Sequence, residues 1–323
     1  MSELILHHYD PSPYAEKVRA VLGFKNLEWQ SVQIPRMMPK PELMPLTGGY
    51  RKTPVLQIGA HVYCDTQMII RELEARHPAP TLFPDNSQFL GWGTSFWTDK
   101  LLFSTSVAIV FGTFGDQMPP EFIKDRAEFS GGGINVEKMK ALLPISLQQF
   151  AAMMDWAEQG LADDRDYLLG PKASLVDFNL YFNVWFAGRA PAAKEIIESY
   201  PKLKAWAARM AAFGNGNITE MSATEALEIA KNDDVSGFQG EIGEEEENKA
   251  GETVTVTPND SGRVPVSGTL VTLNRREIAV RHENETVGEV ILHFPRAGFV
   301  VRLQFGREAK SKFRLYFNLA FAH

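Results

Sequence analysis

A chain of 323 residues exceeds what one hydrophobic core usually organises, so two or three domains are expected. A formal net charge of −7 excludes a broad basic surface for nucleic acid, which needs clustered Lys and Arg. The single cysteine, Cys64, excludes an internal disulfide and multi-cysteine metal sites, and no apolar run reaches the roughly 18 residues of a membrane helix.

The opening residues MSELILHHYD lack a basic stretch leading into an apolar run, so a cytoplasmic protein is expected, without a membrane partner. LILHHY, YAEKVRAVLGF and LEWQSVQI then predict strand, helix and strand. TPVLQIG and HVYCD follow as a strand pair turning at Ile58–His61, and IIRELEARHP closes the segment as a helix ending on Arg76 and Pro78. Two strands joined through a helix favour a parallel pair. The order is that of a thioredoxin-like α/β domain over residues 1–80.

From 86 to 230 strand signals nearly vanish and an all-α domain is expected. Apolar residues recur at helical spacing through Phe89, Trp92, Phe96, Trp97 and Phe103, and again over 136–159, 175–187 and 203–213. Glycine and proline between Gly112 and Pro120, and between Ser130 and Gly133, predict loops. Residues 231–250 are acidic and glycine-containing with little apolar periodicity, which reads as a linker or mobile arm. The tail, 251–323, alternates apolar and polar residues in TVTVTP, GTLVTL, EIAVRH, GEVILHF, FVVRLQF and FRLYFNL. Period two at that spacing predicts a small antiparallel β domain.

Three clusters carry candidate chemistry. In DPSPYAEKVR, Ser12 and Pro13 stand at a strand-to-helix turn, with serine as the cap and proline in the first helical position. A thiol sulfur resting there would feel the helix partial charge and a hydroxyl donor, both favouring the thiolate; plain helix capping is the simpler reading of the motif alone. In KTPVL, Thr53–Pro54 opens a strand, either as a cis bond that presents Thr53 backbone groups to an extended peptide or as a trans proline on an edge. Asp65–Thr66, at the head of the next helix, suits a zwitterionic head group, with Asp65 taking an ammonium and Thr66 with the helix amides a carboxylate; capping again explains it alone.

Taken together, S-P-Y-x-x-K-V-R, T-P-V-L and D-T in this order resemble the glutathione transferase superfamily. SLVD at Ser174–Asp177 is similar to the family's capping box, and YPKLKAWAARM to its P-x-L-x-x-W segment; the match covers about two-thirds of the chain. The resemblance implies glutathione as co-substrate, Ser12 as the group stabilising its thiolate, and Thr53 and Pro54 as the site for the cysteinyl backbone. It further implies Lys52 for the glycyl carboxylate, Lys40 as a second candidate and Arg36 in competition with it. A small hydrophobic electrophile would lie near Tyr14, Phe111 and Phe114, and a homodimer is implied.

The departures are Asp65 where the family has Glu, Thr66 where it has Ser, a glycine-rich LTGGYRK, and the β tail. Segments G-R-x-P-V-x-G-T-L and H-F-P-R in that tail are similar to tails on some bacterial and fungal relatives, from which no activity follows. Tyr9 and Tyr14 are alternative hydroxyls for thiol activation. Cys64 is expected in the core, although glutathione-dependent disulfide reduction through it is a third reading. His7 and His8 alternate faces and make no metal pair, and the aromatic residues at 92, 96, 97, 103, 111 and 114 are expected mostly in the core. Conjugation, isomerisation or thiolysis would all use the same thiolate, whereas a non-catalytic binding or scaffold protein using the β tail as a partner surface is the rival from a different class.

Overall fold

The computed structural model describes residues 3–304. The first part runs β1 (Ile5–His8), α1 (Pro13–Phe24), β2 (Glu28–Gln33), α2 (Leu43–Thr47), β3 (Val55–Ile58), β4 (His61–Cys64) and α3 (Thr66–Arg76). β1 pairs parallel with β2 and antiparallel with β3, and β3 returns antiparallel as β4 with Ile58 opposite His61. This is the thioredoxin-like order expected. Gly59 turns the hairpin at φ +61, and a Cβ there would lie 2.0 Å from Asp233 Oδ2, which accepts the Ala60 N–H at 2.8 Å. Alternate residues of β1 feed two cores: Leu6 packs with α1, α3 and the helical part, and Ile5 packs with α2 on the other face.

The helical part contains α4 (Gln88–Trp97), a π-helical turn at Thr98–Leu102, α5 (Phe103–Phe114), α6 (Pro120–Phe129) and α7 (Val136–Gly160). It continues with α8 (Leu175–Ala187), α9 (Pro191–Ser199) and α10 (Pro201–Ala212). Nearly every side chain of α8 is buried, which explains why it is apolar all round. At its head Asp177 accepts the Ser174 amide at 2.9 Å and hydroxyl at 2.8 Å, and its other oxygen accepts the Trp206 indole N–H at 2.9 Å. The capping box and the P-x-L-x-x-W segment are therefore one interlocked structure.

Several expectations change. Gly112 does not break α5: a Cβ there would stand 2.8 Å from the Met139 carbonyl, so the residue permits close approach of α5 and α7. Within the span expected to be all helix, β5 (Asn217–Glu220) pairs parallel with β2 at the sheet edge. Four exposed residues offer too little alternation to read as a strand. The aromatic residues expected mostly in the core do pack on the buried clusters, with Phe96 the exception. Phe111 is buried, Trp92, Trp97, Phe103 and Phe114 are half-buried, and Phe96 is exposed, as is Phe89. Helical spacing reports a common face and does not say whether that face meets a core or a cavity.

After α11 (Ala223–Asn232) the acidic stretch is pinned rather than loose. Val235 is buried, Arg281 donates to the Val235 and Phe238 carbonyls at 3.2 Å each, and the Gly243 N–H donates to the Leu273 carbonyl at 2.8 Å. The few apolar side chains among the acidic ones supply the anchors. β6 (Thr253–Pro258), β7 (Val266–Leu273), β8 (Glu277–Asn284), β9 (Gly288–Pro295) and β10 (Phe299–Leu303) follow, antiparallel to one another. The segment FRLYFNL lies outside the described residues. β9 also pairs parallel with β4, Tyr63 opposite His293, so the described strands form a single sheet in the order β10-β6-β7-β8-β9-β4-β3-β1-β2-β5. The added strands thus cover the edge that β4 would otherwise expose.

Candidate functional site

β1 ends at His8, and the chain turns through Tyr9–Pro11 into α1. Ser12, almost completely buried, caps this helix by accepting the Ala15 N–H at 3.2 Å. Among the described residues no acceptor takes its hydroxyl proton, so the oxygen caps while the hydrogen stays available. Ser12 lies on the wall of a cavity of about 1090 Å³ between the sheet and the helical part.

The other proposed ligand residues meet it there. The Thr53–Pro54 bond is cis and both residues line the cavity. Asp65 caps α3 by accepting the Gln67 N–H at 2.9 Å, with its backbone at φ 80 and ψ 140. That conformation costs a non-glycine residue on the order of 1–3 kcal/mol and persists because the surrounding structure holds it. Burial pushes the Asp65 carboxyl up to about 6, against the pull of the Gln67 amide and of Lys52. Thr66, buried, begins α3 on the same wall.

The two lysines are more constrained than their spacing implies. Lys40 is buried and donates to the Arg51 carbonyl at 3.1 Å and to Thr53 Oγ1 at 3.0 Å, so it braces the start of β3. Burial, together with Arg126 and Arg51, pushes its amine down to about 7. Lys52 is ion-paired with Asp260. Arg36 lines the cavity from an exposed position.

Tyr14 is on the wall as expected, but its hydroxyl donates to the Asp99 carbonyl at 2.7 Å and its ring packs on Phe103 and Phe182. The alternative in which Tyr14 activates a thiol is thereby removed. Tyr9 also borders the cavity, with the Lys40 amine 5.9 Å from its ring centre. Phe111 and Phe114 project from α5 onto the apolar end, where Phe103, Phe122 and Phe186 join them. Cys64 is fully buried in β4 away from this wall, and burial, with Asp65, raises its thiol well above the ordinary range. A mechanism through Cys64 does not fit that position. His7 bonds Gln57 at 2.8 Å, and His8 accepts from Arg19 at 3.0 Å.

Two contributors escaped sequence reasoning. Asp99, in the π-helical turn, binds Lys17 at 3.0 Å on the cavity floor, where burial pushes its carboxyl up despite that lysine. Asn259, Asp260, Ser261 and Phe299 come from the added strands yet line the same cavity. No local pattern in the sequence signals either contact, since both depend on segments far apart in the chain.

Chemically, the polar end combines a free hydroxyl proton, the N-termini of two helices and a carboxylate, and the other end is aromatic. This donor set fits a zwitterionic peptide bearing a thiol, with an apolar reactant beside it.

Comparison with known proteins identifies the family of the chain. Residues 6–81 match the family described as glutathione S-transferase, N-terminal domain, and residues 127–209 match glutathione S-transferase, C-terminal domain. A GST-like protein from Pseudomonas syringae is 37% identical over 94% of this chain and 100% of its own, with a TM-score of 0.76. At that coverage the likeness takes in the added strands. Glutathione S-transferase III in apo form is 21% identical over 65% of this chain and 92% of its own, with a TM-score of 0.51. FzlA from C. crescentus is 22% identical over 64% and 87%, with a TM-score of 0.50. The last two speak for the fold alone. No curated protein matches the chain. Among the described residues no helix is long and apolar enough to cross a membrane.

Proposed function

The chain belongs to the glutathione transferase superfamily, and from that membership we propose that Ser12 stabilises a glutathione thiolate for attack on, or isomerisation of, a small apolar electrophile. The observation that carries this reading is that Ser12, Thr53, Asp65 and Thr66 line one cavity together with the aromatic side chains of Phe103, Phe111 and Phe114. Glutathione, when bound, supplies the nucleophilic sulfur. Ser12 offers its unused proton to an anion at the head of α1, where the helix partial charge acts in the same direction and lowers a thiol's pKa.

The Thr53 backbone takes an extended peptide in the manner of an added strand. Asp65 holds an ammonium group, and Thr66 with the first amides of α3 holds a carboxylate. Phe111 and Phe114, with the ring of Tyr14, shape the electrophile end and exclude water from it. Lys40 acts from behind Thr53, as a positive charge when protonated. Residues 1–80 serve as the glutathione-binding domain and 86–230 as the electrophile-binding domain in this reading. Residues 231–250 connect them to the β addition of 251–323. A cytoplasmic homodimer goes with the reading, and sedimentation of the full chain tests the dimer.

Thiol transfer to a small aromatic electrophile, assayed for wild type and Ser12→Ala, tests the mechanism: equal rates would remove Ser12 from it. A non-catalytic binding or scaffold protein with its partner surface on the β addition is the second reading, favoured by one observation, the ion pair that already occupies Lys52. Absence of glutathione binding at millimolar concentration, measured by calorimetry, would support it.

A further inference from the structure

The loop between β6 and β7 is built into the cleft rather than hung beside it. Gly262 donates its N–H to the Phe129 carbonyl at the end of α6 at 2.9 Å, and at φ +61 a Cβ on it would fall 2.2 Å from the Phe129 ring. The loop is thereby clamped against the helical part. Two residues earlier Asp260 reaches across to Lys52, its side chain 43% exposed and that of Lys52 15%. Phe299, at the start of β10, lines the same cavity.

The charges at this end are consequently unlike a simple anion site. Lys52 is neutralised by a protein carboxylate, and Asp65 and Asp99 stand close enough to Asp260 to sense its charge. A ligand carboxylate approaching Lys52 meets Asp260 at the same ammonium, and like charges sharing one partner repel. A neutral group reaching the same place meets no such repulsion and can use Lys52, Asn259 and Ser261 as hydrogen-bonding partners.

We propose that Asp260, supplied by the added strands, is a specificity-determining residue that selects a glutathione-type thiol whose glycyl carboxylate is capped as an amide or ester over one whose carboxylate is free. The proposal rests on the glutathione reading above and extends it to the carboxyl end of the peptide. The added strands then serve the site directly, as the wall against which the capping group lies.

The test measures dissociation constants of glutathione and of its glycyl monoethyl ester, by calorimetry on the full chain, for wild type and Asp260→Asn. Wild type is expected to bind the ester at least as tightly as glutathione. Asp260→Asn is expected to shift the ratio toward glutathione by about fivefold, the size of a partly exposed charge interaction, and added salt should shrink that shift. Adding Lys52→Gln to Asp260→Asn should cancel the gain for the free carboxylate, which a loop merely loosened by mutation would not do. A wild type that prefers glutathione, with a ratio unchanged in Asp260→Asn, overturns this proposal and leaves the glutathione reading standing. Binding of neither ligand by either protein overturns both.

Discussion

Lys40 Nζ donates to Thr53 Oγ1 at 3.0 Å, tying the loop before α2 to the residue that precedes the cis Pro54 and β3. The same buried amine is pushed down to about 7, while burial pushes Asp65 up to about 6. Affinity for S-methylglutathione, which carries no thiol to titrate, is therefore expected to peak between these values. Below them Asp65 takes up a proton and loses its hold on an ammonium group; above them Lys40 loses its charge and its pull on a carboxylate. Calorimetry across this range should show both limbs, with Asp65→Asn removing the acidic one and Lys40→Met the basic one. A flat profile would separate both groups from binding.

Ser12→Ala is expected to lower the thiol-transfer rate about a hundredfold, the usual effect of deleting one donor to a developing or stabilised anion. Because the thiolate then loses its donor, the acidic limb of the rate profile should move to higher pH. Loss of the α1 cap should also cost about 1 kcal/mol of stability. Ser12→Thr keeps the hydroxyl and should retain most of both, measured by steady-state kinetics and urea melts.

Asp177 accepts from the Leu168 amide, the Ser174 amide and hydroxyl, and the Trp206 indole, all buried or half-buried. Asp177→Ala strands these donors and is expected to cost about 3–5 kcal/mol. Urea unfolding should show a lower midpoint with an unchanged slope. Asp177→Asn, which keeps acceptor capacity at one oxygen, should cost less.

His7 is buried, and burial holds its imidazole at about 4 despite the hydrogen bond it donates to Gln57 Oε1. The unfolded chain protonates this group near its ordinary value of 6.5, before the folded one does. The stability linked to it is thus complete above that value and is lost as pH falls toward 4. His8 and His61, also held at about 4 mainly by burial, act in the same direction, whereas Asp65, raised to about 6, opposes them. His7→Gln should make the pH slope of unfolding free energy shallower by about 1.4 kcal/mol per pH unit in the window between the two values. Denaturation at a series of pH values checks it, and an unchanged slope would mean that His7 titrates alike in both states.

Gly262→Ala places a methyl group against the Phe129 ring in a left-handed backbone conformation. It is expected to destabilise the fold by about 1–3 kcal/mol. By displacing the loop it should also shift ligand preference in the same direction as Asp260→Asn, read by the same calorimetric pair.

Local signals carried much of this protein. Ser12–Pro13 marks a helix start because serine caps and proline pre-sets φ, and Ile58–His61 turns because Gly59 tolerates the left-handed region. The alternation of the tail identified its strands from 253 to 303, most cleanly in β6, where buried and more exposed residues alternate, whereas β9 is buried along Val290–Pro295. Such features depend on residues a few positions apart, and the order of the three motifs pointed to the superfamily for the same reason. Tertiary structure alone decided that β9 would pair with β4, that Val235 and Phe238 would anchor an acidic stretch, and that Phe96 would face outward while Phe111 went in. It alone brought Asp260 to Lys52 across 208 positions of chain. A side chain's residue type sets what it can bond, but its partner is chosen by which distant backbone the fold delivers beside it, and periodicity holds no record of that.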